Sequence, residues 1–286
     1  MKLRDVSAIC VVVGGLICAD ATAATTKSIP VVAQIQGAAF FRTSVTISNA
    51  NDSVATPVHM QLAYRSLVDN SFQVTTLDLS PALGPRRVVV FDDIIQAFKN
   101  AGRIRAADAS ANIFGTLLVT YDAIAEDARE EAAAVARTYS AGPAGGTIGL
   151  AYAGRCYCST GSRFRVLGAS RGGVFGNDGS TRANLGIINE GNTQGQGATD
   201  VRVQYYNGDT GALLKQFFVS EIVHHNLEAN EVYQINNVFN DPSIPATVHT
   251  LVVHVEAVTA DFYASSYVVQ LDNTTQDGSF FFLEEE

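Results

Sequence analysis

Val201, Val203 and Tyr205 alternate with Arg202, Gln204 and Tyr206. Successive side chains on a β-strand point to opposite faces, so this spacing predicts a strand with one apolar face. "NGDTG" (Asn207–Gly211) and the apolar "ALLKQFF" follow it, and together they read as a hairpin. Similar short period-two runs recur along the chain between clusters of Gly, Asn and Asp, which favours antiparallel sandwiches. The recurrent helical signal is "FDDIIQAF" (Phe91–Phe98) against "INNVFND" (Ile235–Asp241), where an Asx residue is expected to cap one short turn.

The runs also repeat one another in order. "RTSVTISN" (Arg42–Asn49) matches "RANLGIIN" (Arg182–Asn189), and "VHMQL" (Val58–Leu62) matches "VRVQY" (Val201–Tyr205). "LGPRRVVVFDDI" (Leu83–Ile94) answers "LEANEVYQINNV" (Leu227–Val238), and "TLLVTY" (Thr116–Tyr121) answers "TLVVHV" (Thr250–Val255). Last come "VARTY" (Val135–Tyr139) and "YASSY" (Tyr263–Tyr267). Colinear blocks of this kind predict a tandem duplication. The first copy carries extra residues at Lys99–Asp108 and in "AEDAREEAAA" (Ala125–Ala134), between matched strands, where added loop length is cheap. A Gly-rich connector, Ser140–Gly154, with room for an edge strand, divides the copies. The expected organisation is a signal peptide over residues 1–23, one β-sandwich over 24–144 and a second over 145–286.

The signal is read from Lys2 and Arg4, the apolar stretch Val6–Ala19 and the small residues Ala21-Thr22-Ala23, with cleavage expected after Ala23 or, alternatively, Ala21. A spanning helix needs roughly 20 apolar residues, which this run does not reach, so no membrane span is expected after cleavage. Outer-membrane barrels commonly close on an aromatic residue, whereas this sequence reads Leu283-Glu284-Glu285-Glu286 there. Secretion, or retention in the periplasm or at the surface of a bacterium, is the expected location. Asp and Glu number 28 against 19 Lys and Arg, and the basic residues are scattered. Nucleic-acid binding needs a basic patch and is disfavoured. Of the four cysteines, Cys10 and Cys18 would leave with the signal. Cys156 and Cys158 remain, and an oxidising compartment favours a local or intermolecular disulfide over free thiols. Zinc would want a second ligand pair.

Candidate chemistry is sparse. "GASRG" (Gly168–Gly172) fits a nucleophile elbow around Ser170, but the Gly-rich "GVFGNDGSTR" after it cannot sustain the helix an elbow needs. None of His59, His224, His225, His249 and His254 recurs as a histidine at the matched position of the other copy, and they read as surface or loop residues. Asp92 and Asp93 are replaced by Asn236 and Asn237 in the second copy, an exchange that suits capping and would abolish acid–base work. Asp272, Asn273, Thr274, Thr275, Gln276 and Asp277 read first as a turn fixed by side-chain bonds to backbone amides. The competing reading is a calcium loop with Asp272 and Asp277 as ligands. No catalytic, cofactor-binding or metal-ligating residue is assigned, and no cofactor is expected.

"TRANLGIIN" (Thr181–Asn189), "LGPRR" (Leu83–Arg87), "FYASSYVVQLDNTTQD" (Phe262–Asp277) and "ARTYSAGPAGGTIG" (Ala136–Gly149) together resemble tandem accessory modules of secreted bacterial proteins, often appended to exported hydrolases. The resemblance implies an extracellular immunoglobulin-like module without known catalysis. The expectation is an all-β, exported, non-catalytic protein of two tandem antiparallel immunoglobulin-like sandwiches serving adhesion, assembly or interaction. Its partner would be a protein or a surface glycan. One alternative is a glycan- or ligand-binding module using aromatics such as Tyr205, Tyr206 or Tyr263, with at most one of the adjacent pair buried. The other is a secreted hydrolase.

Overall fold

The computed structural model describes residues 24–36, 39–142, 146–156, 164–170, 181–192, 194–272 and 278–282. The expected signal peptide, Cys158, the middle of the connector and Asn273–Asp277 of the acidic turn lie outside the described residues.

The chain is all-β and its strands pair antiparallel, a β-sandwich-like fold that the alternation predicts. The first half contains β1 (Ala24–Gln36), β2 (Phe40–Asn49), β3 (Val58–Arg65), β4 (Phe72–Asp78) and β5 (Arg87–Phe91). Helix α1 (Ile94–Asn100) precedes β6 (Ile113–Ala125), β7 (Ala132–Ala141), β8 (Thr147–Ala153) and β9 (Arg155–Cys156). The second half contains β10 (Phe164–Ser170), β11 (Thr181–Asn192), β12 (Val201–Asn207), β13 (Leu213–Phe218) and helix α2 (Val219–Val223). β14 (Val232–Ile235), β15 (Thr250–Ala257), β16 (Phe262–Asp272) and β17 (Gly278–Phe282) complete it. No helix among the described residues is long and apolar enough to cross a membrane.

Pairing follows one scheme in both halves. β3 lies between β4 and β6, with β6 continuing to β1; β2 lies between β5 and β7, with β7 continuing to β8. β12 lies between β13 and β15, with β15 continuing to β10; β11 lies between β14 and β16, with β16 continuing to β17. The halves differ at β1. Its early residues pair with β6, the register shifts between Ile29 and Val32, and Gln34–Gln36 then pair with β2. Pro30 sits inside that shift, where a residue without an N–H donor is tolerated. The long β1 thereby links the first half into a nine-stranded sheet, while the second half has two four-stranded sheets.

Recurring asparagines hold the matched strands to their loops. Buried Asn49 donates through Nδ2 to Val54 O (2.8 Å) and Leu83 O (3.1 Å) and accepts at Oδ1 from the Asn51 amide (3.0 Å). Buried Asn189 donates to Gly197 O (3.0 Å) and Leu227 O (2.7 Å) and accepts from the Gly191 amide (2.8 Å). Isolated bridges Thr56–Leu83 and Thr199–Leu227 brace the same places.

Several expectations need correction. The boundary drawn at 144/145 falls too early, because β8 pairs with β7 and β9 pairs with β1. Gly149 marks close packing rather than a linker: a Cβ there would lie 2.2 Å from Thr138 O. Asn49 faces Ala132 and Asn189 faces Ala264, so the counterpart of Val135 is Tyr267 and not Tyr263. That slip is even, and an even slip preserves in–out alternation, so periodicity could not expose it. Asp93 caps α1 by accepting from the Gln96 amide at 3.0 Å, as expected. Asn237, at φ 50°, makes no side-chain cap; its side chain turns to Asn240 Oδ1 instead. The "AEDAREEAAA" insert forms a 3-10 turn over Glu126–Glu131.

Two separate cores were expected, and the first extends across the halves. One cluster built on Ile47, Met60, Leu62, Leu117 and Tyr121 also takes in Ile188, Tyr267 and Val269. The other, around Leu185, Val203, Tyr205 and Val253, belongs to the second half. β2 therefore alternates, with Val45 and Ile47 buried between half-exposed Ser44, Thr46 and Ser48. β11 is buried continuously from Ala183 to Asn189, because the first half covers its outer face. Gly186 lies under the Tyr267 ring, and a Cβ there would come within 1.9 Å of Cζ. Gly186→Ala is expected to lower stability by about 1–3 kcal/mol through displacement of that ring. Chemical denaturation of the purified chain measures this, and an unchanged midpoint would contradict it.

Candidate functional site: the cleft between the halves

The residues singled out in the sequence disperse. β10 ends at Ser170, and Arg171 and Gly172 lie outside the described residues. Tyr205 is buried against Phe217 in the second core and is removed from any exposed aromatic row. Tyr206, on the opposite face, tilts against His254 at 5.0 Å, and Tyr263 is half-buried. His224 ends α2 in the left-handed region at φ 63°. Among the described residues, no group of three or more His, Cys, Asp or Glu is placed to hold a metal ion.

Two charged clusters have local structural roles. Asp108, buried at the end of the first insert, accepts from Tyr64 OH (3.0 Å), Ser66 Oγ (2.5 Å) and Arg105 Nε (2.7 Å). The Arg105 bond, above all, holds its carboxyl below the ordinary value despite burial. Burial, followed by the Asp108 bond, pushes Tyr64 up to about 12. On the outer face of β3, His59 Nδ1 meets Asp78 Oδ1 at 2.6 Å and Nε2 meets Asp122 Oδ2 at 2.7 Å. The Asp78 bond, then the Asp122 bond, raises the His59 pKa. A raised folded value gives stability that is complete below about pH 6.5 and lost as pH rises through that value. His59→Ala is therefore expected to cost more at pH 5 than at pH 9, by less than about 1 kcal/mol for so exposed a group. Paired thermal melts at the two pH values test this, and an equal loss at both would contradict it.

The remaining cluster spans the halves. Arg65, at the end of β3, donates through Nε and Nη2 to both oxygens of Glu231, the latter bond at 2.7 Å. His225 Nε2 donates to Glu231 Oε1 at 2.9 Å, and the Glu228 amide donates to Oε2 at 2.9 Å. The Glu231 side chain is only 5% exposed. Burial alone would raise its pKa; the bonds from Arg65, the Glu228 amide and His225 outweigh that and lower it. A forked Arg–carboxylate pair of this kind fixes orientation as well as distance.

Beside this latch the halves leave a cleft. On one side stand Val31, Ala33 and Ile35 of β1, with Leu150 and Tyr152 of β8. On the other stand Tyr267, Val269 and Leu271 of β16, with Phe280 of β17. Phe280 stacks between Tyr152 (4.5 Å) and Tyr267 (4.9 Å), so rings from both halves close one wall. The cavity measures about 230 Å³. Ile35, Phe114 and Gln234 are shared with a neighbouring cleft of about 470 Å³, into which Arg65, His225, Glu231 and Asn236 also face. The recess thus adjoins a second one that is also mostly apolar but adds the charged side chains of Arg65 and Glu231 and the imidazole of His225. Sequence reading missed this place because its apolar residues look like ordinary core positions; the continuous burial of β11 and β16 is the signal that a second layer covers them. Compared with protein-family models, curated proteins and solved structures, the chain matches none.

Proposed function

We propose that this chain is an exported, non-catalytic protein of two tandem immunoglobulin-like β-sandwich domains. It acts at a bacterial surface, in the periplasm or outside the cell through adhesion, assembly or interaction with a protein or glycan. The repeated pairing scheme and the paired Asn49 and Asn189 anchors support the tandem reading. The observation that carries the functional reading is the joint itself, where the pairing of half-buried Arg65 with buried Glu231 and a shared apolar cluster fix one half against the other. Fixed relative geometry suits recognition of an extended partner, since little ordering entropy remains to be lost on binding. Cell fractionation and cross-linked capture from the surface fraction test it. The expected results are a mature N-terminus near Ala24 and a specific partner. Retention of the intact N-terminal segment in a membrane fraction would contradict export by cleavage. A hydrolase activity that titrates with the protein and is lost in Ser170→Ala would replace the non-catalytic reading.

A second reading, a ligand-binding module, is favoured by the cleft. Pockets at domain joints with mostly apolar walls and a few polar groups are common ligand sites.

A further inference from the structure

We propose that the cleft binds a single-chain amphiphile, with its alkyl chain in the apolar recess and its polar head beside Arg65, His225 and Glu231 in the neighbouring cleft. This rests on the ligand-binding reading and names the class of ligand.

Three observations support that class. The recess, at about 230 Å³, exceeds the roughly 150 Å³ apolar cavity that accepts a benzene ring, so a hydrocarbon chain has room to enter. Its polar groups are already engaged. Tyr152 OH donates to Val31 O, and Thr138 Oγ1 lies 2.7 Å from Thr43 Oγ1 and 2.9 Å from Tyr152 OH. Tyr267 OH donates to Gln234 Oε1 at 3.1 Å, while Gln234 Nε2 donates to Asn236 Oδ1 at 2.8 Å. Asn184 Oδ1 accepts from the Asn237 amide at 2.9 Å, and Arg182 also has a partner. A stable buried water wants two to four polar partners, and these walls offer few free ones, so the recess favours hydrocarbon over water. The third observation is the change of character at the mouth. Past Phe114 and Gln234 the walls stay mostly apolar, with Leu67, Val223 and Val232, but gain the Arg65–Glu231 pair and His225. A head group there stays hydrated while its chain leaves water, which contributes about 0.8 kcal/mol per buried methylene.

The test uses the purified full chain and N-phenyl-1-naphthylamine, a probe that fluoresces in apolar sites. Saturable probe uptake is expected, with competitive displacement by decanoate below its micellar concentration. Leu150→Trp, which adds a ring to the recess wall, should weaken decanoate binding at least tenfold while leaving the far-ultraviolet circular dichroism unchanged. Ala33→Leu fills the same wall from β1 and should do the same, which keeps the test decisive if the Trp variant misfolds. Val88→Ser, on the exposed outer face of β5, should bind as the unsubstituted chain does. Absence of saturable uptake, or decanoate affinity unchanged in a folded filled variant, would overturn the proposal. A soluble glycan that binds the chain without displacing the probe, while decanoate fails to bind, would also overturn it. In that case the ligand-binding reading would stand.

Discussion

Glu231→Ala is expected to destabilise the folded chain by about 3 kcal/mol, because it leaves the Arg65 guanidinium without the carboxylate that two of its three bonds require, the third going to Asn70 O. The loss is pH-dependent, with a definite sign. The folded pKa of Glu231 lies below its unfolded value, so its stabilisation is present above about pH 4.3 and fades as pH falls through the folded value. The difference between the unsubstituted chain and Glu231→Ala should be full at pH 7 and shrink towards pH 3. Arg65→Ala should remove the same interaction, so the double variant is expected to lose less than the sum of the single losses. Denaturant titrations of the four proteins check this. Additive losses would show that the ion pair contributes nothing to stability.

The asparagine anchors give the second large effect. Asn189→Ala removes two donated bonds and one accepted bond in a buried site, leaving Gly197 O and the Gly191 amide short of partners and Leu227 O with the Thr199 amide alone. Buried polar groups left unpaired cost about 1–3 kcal/mol each, but relaxation and entering water recover part of that, so a net loss of about 3 kcal/mol is expected. Asn49→Ala likewise strips the Val54 carbonyl and leaves Leu83 O with the Thr56 amide alone, and should cost a similar amount. Denaturation midpoints measured side by side test the pair. A large loss at one site and none at the other would break the proposed equivalence of the halves.

The sequence made strands visible where one face meets a core and the other meets water. Val201, Val203 and Tyr205 are buried while Arg202, Gln204 and Tyr206 are half-exposed, so period two is preserved. Asn49 and Asn189 were legible as ends of matched strands, though not as the donors that hold the loops. The joint was not legible, for two reasons. Arg65 and Glu231 lie 166 residues apart, and nothing local distinguishes either from a solvated charge. Gly149 reads as part of a Gly-rich connector, whereas its lack of a Cβ serves a strand packed hard against Thr138. Apolar outer positions of β11 and β16 carried the only trace of the joint, and the matched blocks masked it because "RTSVTISN" and "RANLGIIN" align while only the first keeps a polar outer face.

Calorimetric unfolding of the full chain tests the fixed joint most directly. The shared cluster around Tyr267 and Val269 and the Arg65–Glu231 pair should couple the halves, giving one cooperative transition at pH 7. Glu231→Ala should lower its midpoint and broaden or split it. Two separate transitions in the unsubstituted chain, with positions unmoved by Glu231→Ala, would contradict a joint that works as one unit.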